Sequence, residues 1–258
     1  MRNVLLFCFF AFTLSCTEEV KKESDFFDAI EKKEEIYKTI DERIIRHIEG
    51  NLSISATEKY TYQVYKSELN GDDSLDYIIT VNRLEKAIDE AIAGNDVAKR
   101  AEIGYMGNFN YYFFMDGLSK EITTAIAVPS SPNAELVVNF EHIRSEGFND
   151  FTIDFRIRNS KFRRFYTVVK NVPRQTFEAK IFDRLGENNP EAYFIKFQPG
   201  SFSLAKDILV YKGSMKPVVI NSVNDVYTID PEITATDKMD RKWFYSDPKN
   251  KYFTEKED

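Results

Sequence analysis

The sequence predicts an α+β fold in which N-terminal amphipathic helices precede a mainly antiparallel, β-sandwich-like domain. Three observations indicate this class. Apolar residues recur every three or four positions in two segments before residue 104, which is the period of a helix. From about residue 105, apolar residues instead alternate with polar ones or form short β-branched and aromatic runs, which are typical of strands. With 258 residues, of which 43% are hydrophobic, the chain is long enough to bury a substantial core.

The first residues have the pattern of a secretory signal. One arginine, Arg2, is followed by an apolar run of ten residues from Val4 to Thr13. A helix of ten residues is about 15 Å long, roughly half of a bilayer core, so this run is too short to span a membrane. We therefore assign residues 1–15 to a signal peptide and leave them out of the fold.

The end of this signal, Phe-Thr-Leu-Ser-Cys-Thr at 12–17, resembles the lipobox of bacterial lipoproteins, in the looser form known from the Bacteroidetes. The resemblance implies that Cys16 accepts a diacylglycerol and becomes the first mature residue, so that a lipid anchors the chain to the outer membrane. The charged tether at 16–24 is similar to the segment that exports such lipoproteins to the cell surface. The alternatives are a plain secretory signal and a solvated linker.

Residues 25–104 read as a helical region that also contains a polar loop. A helix is predicted over 25–50, where Gly50-Asn51 is expected to end it, and a second helical pattern over 84–103 is interrupted at Gly94. Two strands are predicted between these helices, at 60–65 and 77–81.

Residues 105–258 read as a β-rich domain. Residues 151–157 alternate strictly between apolar and polar, which predicts a strand with one buried face. The last thirty residues are mostly polar and charged. The strands predicted for this domain lie at 108–115, 122–128, 136–140, 151–157, 162–169, 176–182, 192–197, 207–212 and 218–220.

A run of oxygen-bearing side chains separates the two strands predicted at 60–65 and 77–81. Alternate residues of a tight turn point their oxygens at one hard cation, and a glycine helps the backbone to bend. This spacing predicts a calcium site, whereas the alternative is a polar hairpin turn without metal. The candidate ligands are Glu68, Asn70, Asp72, Ser74 and Asp76.

The run Leu-Asn-Gly-Asp-x-x-x-Asp, followed by Tyr-Ile-Ile-Thr-Val, resembles the calcium loop and strand of FG-GAP and VCBS repeat proteins. This resemblance covers about fifteen residues and implies a structural calcium ion. The chain departs from the family pattern at two positions. Glu68 replaces an aspartate, and Asp73 replaces a glycine at a position that often needs a left-handed backbone, which Asp tolerates.

Arginines crowd one predicted hairpin. Arg156, Arg158 and Arg163 are candidates for binding an anionic glycan, a phosphate or a lipid headgroup. The alternative is a solvated edge hairpin whose cations pair with acidic neighbours. The net charge of −7 argues against nucleic acid as a partner, because nucleic-acid binding depends on a basic surface.

The sequence contains none of the short motifs of nucleophile-elbow hydrolases, P-loop proteins, dinucleotide-binding folds or zinc proteases. Segments between residues 81 and 211 resemble flavobacterial lipoproteins that have no assigned activity. We therefore expect an outer-membrane lipoprotein that acts as a non-enzymatic surface module for an unknown ligand or envelope protein, with one structural calcium ion. The alternative is a secreted hydrolase that acts on glycan or lipid through two carboxylates.

Overall fold

The computed structural model describes residues 39–94, 107–222 and 225–254. The predicted signal peptide, Cys16, the tether and the first part of the helix expected over 25–50 lie outside the described residues. The structure divides into two units between Arg46 and His47, and the elements that position the candidate site belong to the second unit. No helix among the described residues has the length and apolar character needed to cross a membrane.

Helix α1 covers Ile40–Leu52. The hydroxyl of Thr39 accepts a hydrogen bond from the backbone N–H of Glu42 (3.1 Å), which satisfies one of the free amides of the first turn. The helix continues through Gly50, where the sequence predicted its end, and is followed by Ser53 with a left-handed φ of 49°. Gly50 is therefore a helical residue and not the terminating one.

Helix α2 covers Leu84–Ala93, and a single turn, α3, covers Asp225–Thr228. The prediction that the helical pattern is interrupted at Gly94 is confirmed, because the Gly94 N–H donates to the Glu90 carbonyl (2.9 Å) and its backbone is extended. Residues 95–103, over which a continuation was expected, lie outside the described residues.

The first sheet has four antiparallel strands in the order β1-β2-β3-β4. Every residue of β2 is buried, as its apolar, β-branched sequence predicts. The strand predicted over 122–128 is reduced to the two residues of β4 and a single bridge between Ile122 and Met115. The strands are β1 (Thr61–Ser67), β2 (Asp76–Asn82), β3 (Asn110–Met115) and β4 (Ile126–Ala127).

The second sheet has eight strands, and each pairs antiparallel with the next along the chain, from β5 to β12. The turn between β6 and β7 is closed by the pair Ile157–Ser160, and Arg158 within it has a φ of 53°. The strands are β5 (Val137–Glu141), β6 (Asp150–Ile157), β7 (Ser160–Val169), β8 (Val172–Asp183), β9 (Glu191–Gln198), β10 (Asp207–Met215), β11 (Ile233–Ser246) and β12 (Lys251–Phe253).

Two predictions for this sheet are wrong, and one of its strands was not predicted. Strand β6 is not half-buried, because its polar residues Thr152, Asp154 and Arg156 are buried together with the apolar ones. Residues 218–220 form no strand, although they are apolar. The polar C-terminal region contains the fourteen-residue strand β11, which the sequence did not reveal because few of its residues are apolar.

Two apolar cores stabilise these sheets. The first contains side chains of both sheets, including Ile78 and Tyr112 from the first and Phe151 and Tyr166 from the second. The rings of Phe151 and Tyr166 are stacked with their centroids 4.9 Å apart. The second core is formed by β7 to β12 around Phe177. The mainly antiparallel β character that the sequence predicted is therefore confirmed.

Candidate metal centre

The candidate calcium loop connects β1 to β2, so the two ends of the loop are held together by a strand ladder in which Ser67 pairs with Asp76. Two positions of the loop have a left-handed backbone: Gly71, with φ of 79°, and Asp73, with φ of 62°. A Cβ atom at Gly71 would lie 3.1 Å from the ring of Phe148. The loop therefore bends where the spacing of its residues predicts.

Within the loop, side-chain oxygens accept hydrogen bonds from the backbone. Asn70 Oδ1 accepts from the N–H of Asp72 (3.2 Å), and Asp72 Oδ1 accepts from the N–H of Ser74 (2.9 Å). Glu68 Oε1 accepts from the N–H of Asp73 (3.3 Å). These are turns of the kind that Asn and Asp form with their own backbone. They place Glu68, Asn70 and Asp72 around one small volume.

Asp76 lies beneath the loop and is fully buried. Its two carboxylate oxygens accept from the backbone N–H groups of Leu69 (3.0 Å) and Gly117 (2.8 Å). Burial, together with the smaller effect of the nearby charges of Asp72 and Asp116, raises the pKa of Asp76 to about 6 against the effect of these two hydrogen bonds. Asp72 and Asp116 therefore lie close enough to Asp76 to repel its charge.

Two residues that sequence reasoning missed complete this cluster. The Asn70 amide nitrogen lies 3.1 Å from Asp72 Oδ2, 3.2 Å from Asp116 Oδ1 and 3.2 Å from Asn171 Oδ1. Asp116 directly follows Met115, which pairs with Tyr77, so the strand register brings Asp116 opposite Asp76. No local pattern marks Asp116 or Asn171, because each reaches the loop only through strand pairing or the turn after β7.

Burial favours a higher pKa for Asp116, but the hydrogen bonds from Ser119, Leu118 and Asn70 together outweigh it and lower the pKa below its ordinary value. The Ser119 N–H donates to Asp116 Oδ2 at 2.6 Å. Asp116 is therefore held ionised beside the loop, where a negative charge attracts a cation.

The donor chemistry of this cluster fits a hard cation. An amide nitrogen has two hydrogens, and the Asn70 nitrogen faces three oxygens within 3.2 Å, two from carboxylates and one from an amide. Carboxylate and amide oxygens are the ligands that calcium prefers. Across the part of the chain that the structure describes, however, no three His, Cys, Asp or Glu side chains are arranged to hold a metal ion directly. The oxygens are therefore near one another but not in coordination geometry.

The predicted anion-binding arginines do not form one exposed patch. Arg163 donates to both oxygens of Asp154, at 2.6 and 2.8 Å, and this pairing raises its pKa. Arg156 is buried and contacts Asp230 at 3.0 Å, and burial lowers its pKa in spite of that partner. Only Arg158 is exposed, at the turn after β6. Arg156 and Arg163 therefore have a structural role, and anion binding at these residues stays a prediction.

A cavity of about 250 Å³ lies beside these ion pairs, with Asp154, Arg156 and Asp230 in its wall. Its carboxylates face cations, since Lys161 contacts both Asp154 and Asp230. The third acidic residue of the wall, Glu135, accepts from the hydroxyl of Thr61 at 2.6 Å. The three carboxylates therefore form hydrogen bonds or ion pairs with other side chains of the protein. The cavity gives no specific support to the alternative of a carboxylate-dependent hydrolase.

Comparison of the chain with protein-family models, with curated proteins and with solved structures finds no match.

Proposed function

We propose that the chain is a lipoprotein held at the bacterial outer membrane through Cys16, where it acts as a non-enzymatic binding or accessory module. Amphipathic helices near the N-terminus and a sandwich-like arrangement of the two sheets are parts of this proposal, as is one structural calcium ion in the loop between β1 and β2. The signal pattern of residues 1–15 and the lipobox-like sequence before Cys16 support the anchor.

The observation that carries the calcium site is the convergence of Asp72, Asp76 and Asp116. Burial and, to a smaller extent, the charges of Asp72 and Asp116 raise the pKa of the Asp76 carboxylate, so the folded chain without a cation keeps a buried charge near like charges at a cost. A divalent cation would offset this repulsion. The three acidic residues come from the loop, the start of β2 and the end of β3, so a shared ion would hold these elements together.

The ligands that we propose are Asp72, Asp116 and the amide oxygens of Asn70 and Asn171, together with the loop residues Glu68 and Ser74. Asp76 is a further proposed ligand, because each of its oxygens keeps a second lone pair after accepting from Leu69 or Gly117. When bound, calcium supplies charge compensation and cross-linking and takes no part in chemistry. An affinity of about 10⁻⁴ to 10⁻³ M suffices for extracellular modules of this kind.

Thermal unfolding of the full chain with calcium and with a chelator tests the site. Calcium that binds only the folded state at 100 times its Kd contributes about 2.7 kcal/mol. For a chain of this size, each kcal/mol raises Tm by about 2–4 °C. We therefore expect saturating calcium to raise Tm by about 5–10 °C relative to the chelator.

Two isosteric variants of neighbouring loop residues provide a matched control. Asp72→Asn should abolish most of the calcium-dependent shift, whereas Asp73→Asn should retain it, because Asp73 is not among the proposed ligands and Asn tolerates its left-handed backbone. An unchanged Tm at millimolar calcium would contradict the site. Equal effects of the two variants would show that calcium binds through the general charge of the loop.

A further inference from the structure

The last four strands of the second sheet have one face in the core and one face outside it. The inward side chains include Phe197, Ile208 and Tyr245, which pack in the second core. Because neighbouring residues of a strand point to opposite faces, the strand register assigns the intervening residues to the other side. We call this side the outer face; it is formed by Phe194, Lys196, Tyr211, Lys242, Phe244 and Phe253.

The loop at residues 199–206 extends the outer face with apolar side chains. The ring of Phe202 lies 5.0 Å from that of Phe244, which in turn lies 5.8 Å from that of Phe253. Phe202 is 68% exposed and Leu204 is 96% exposed, and Phe253 is 43% exposed. Exposed apolar residues that adjoin one another in this way mark an interaction surface, unlike single ones scattered over a protein.

Phe202 and Leu204 are exposed on a loop whose conformation is fixed by hydrogen bonds and close packing. Asp207 Oδ2 accepts from the backbone N–H (3.1 Å) and the hydroxyl (2.6 Å) of Ser201 at one end. At the other end Ala205 is buried, and a Cβ atom at Gly200 would lie 2.1 Å from the Ala205 carbonyl oxygen. The loop therefore closes tightly and presents its two large apolar side chains outward.

The cations of the outer face are lysines. The Lys196 ammonium lies 4.8 Å from the ring centre of Tyr211, and that of Lys242 lies 4.8 Å from the ring centre of Phe244. The Lys242 ammonium also pairs with the buried Asp207 carboxylate at 3.1 Å, so Lys196 and Lys251 are the cations that this face offers to a partner. Lys251 is exposed and pairs with Ser246, on the same side as Phe253. Protein–protein interfaces favour arginine and are depleted in lysine. At a bilayer surface, in contrast, the aliphatic part of a lysine side chain packs on apolar groups while the ammonium stays among the headgroups.

We propose that the outer face and the 199–206 loop dock on a bilayer surface that contains anionic lipid. Phe202 and Leu204 insert at the boundary between headgroups and acyl chains, while Lys196 and Lys251 contact lipid phosphates. The chain as a whole carries a charge of −7, so only a local lysine-rich face suits such a surface. This inference extends the proposed function, because an anchor at Cys16 would hold the chain at a membrane and the outer face would orient it there.

Fluorescence of a single tryptophan tests the docking. The chain has one tryptophan, Trp243, so Phe202→Trp combined with Trp243→Phe reports on the loop alone. The full chain is purified in detergent and reconstituted into vesicles of phosphatidylethanolamine and phosphatidylglycerol, with or without brominated acyl chains. We expect the brominated lipid to quench most of the emission from position 202 and the emission to shift to shorter wavelength.

A matched variant, Leu118→Trp with Trp243→Phe, places the reporter at another exposed apolar position outside the outer face. Its emission should not respond to brominated lipid. Equal quenching at positions 118 and 202, or none at 202, would overturn the proposal. Shielding of position 202 from a soluble quencher in the Cys16→Ser chain, kept free of vesicles and detergent, would also overturn it, because a second copy of the chain would then cover the loop.

The lipid charge and the anchor are tested separately. Vesicles of phosphatidylcholine alone, and the variant Lys196→Gln with Lys251→Gln, should each reduce the quenching at position 202; no reduction in either case would contradict the role of the lysines. Flotation of the Cys16→Ser chain reports on the anchor. If flotation requires Cys16 but emission at position 202 is not quenched, the anchor is supported and docking is refuted. If flotation does not require Cys16 but emission at position 202 is quenched, docking is supported and the anchor is refuted.

Discussion

Arg83 shows at the scale of single residues how this fold accommodates a buried charge. Its side chain is 4% exposed, and its guanidinium donates to both oxygens of Glu58, at 2.6 and 2.7 Å, and to the Leu52 carbonyl at 3.2 Å. Removing two charges from water costs several kcal/mol each, so each partner depends on the other. The hydrogen bond from Arg83 lowers the pKa of Glu58, against the effect of burial.

We predict that Glu58→Gln destabilises the chain by about 3 kcal/mol near neutral pH, because Arg83 is left buried without its counter-charge. Since the pKa of Glu58 is lowered in the folded state, its stabilising contribution is present above the ordinary value of 4.5 and is lost as the pH falls through the lowered value. Urea unfolding of both proteins over this pH range measures the difference, which should shrink on acidification.

Glu232→Gln is the matched control, because the pair Lys216–Glu232 has both side chains 63% exposed. Its effect should stay below about 1 kcal/mol at every pH. If Glu58→Gln and Glu232→Gln behaved alike, the buried pair would not have the role that we assign to it.

At the scale of elements, two glycines differ in whether their position requires a residue without a side chain. Gly50 lies within α1, and a Cβ atom there would meet nothing within 4 Å. Gly71 lies in the loop between β1 and β2 with a left-handed φ of 79°, and a Cβ atom there would be 3.1 Å from the Phe148 ring. The helix thus has no need of its glycine, whereas the loop uses its glycine both to bend and to approach Phe148.

We predict opposite signs for the two alanine substitutions. Gly50→Ala should stabilise the chain by about 0.5–1 kcal/mol, because alanine loses less backbone entropy in a helix. Gly71→Ala should destabilise it by about 1–2 kcal/mol, the usual cost of a left-handed conformation for a residue with a Cβ atom. Denaturant unfolding in the presence of a chelator measures both effects without calcium, and a neutral Gly71→Ala would contradict the strained loop.

At the scale of the whole molecule, we propose that one segment of the chain attaches it to the membrane and that a different part forms the folded sheets. Residues 1–38 carry the predicted signal, Cys16 and tether, while the described sheets contain the two cores and the candidate metal centre. The two cysteines of the chain, Cys8 and Cys16, both lie in the first segment. The described sheets therefore contain no cysteine and are stabilised without disulfides.

We predict that metabolic labelling with a clickable fatty acid marks the wild-type chain and Cys8→Ser, and that Cys16→Ser loses the label. The physical reason is that only Cys16 follows the lipobox-like sequence and supplies the sulfur that accepts the diacylglycerol, whereas Cys8 lies within the apolar run. The label in the membrane fraction is the measurement. Label retained by Cys16→Ser would refute the anchor.

Local patterns in the sequence predicted most of the strands and the position of the loop, because alternation, β-branched runs and turn residues act over a few neighbours. They correctly located the interruption of the helical pattern at Gly94 and the hairpin between the strands predicted at 151–157 and 162–169. They placed the end of α1 two residues early, at Gly50. A glycine often ends a helix, but it is compatible with a helical backbone when tertiary contacts favour continuation of the helix.

Local sequence patterns are enough to predict a mainly antiparallel β chain with an oxygen-rich loop between two of its strands. The residues that meet this loop become apparent only in the folded chain, since Asp116 and Asn171 lie 46 and 101 positions along the chain from Asn70. Tertiary structure also decided that Asp154 and Arg156 are buried with partners, where alternation indicated a solvated face. The physical reason is that strand register and ion pairing join residues distant in sequence, and no local periodicity encodes such contacts.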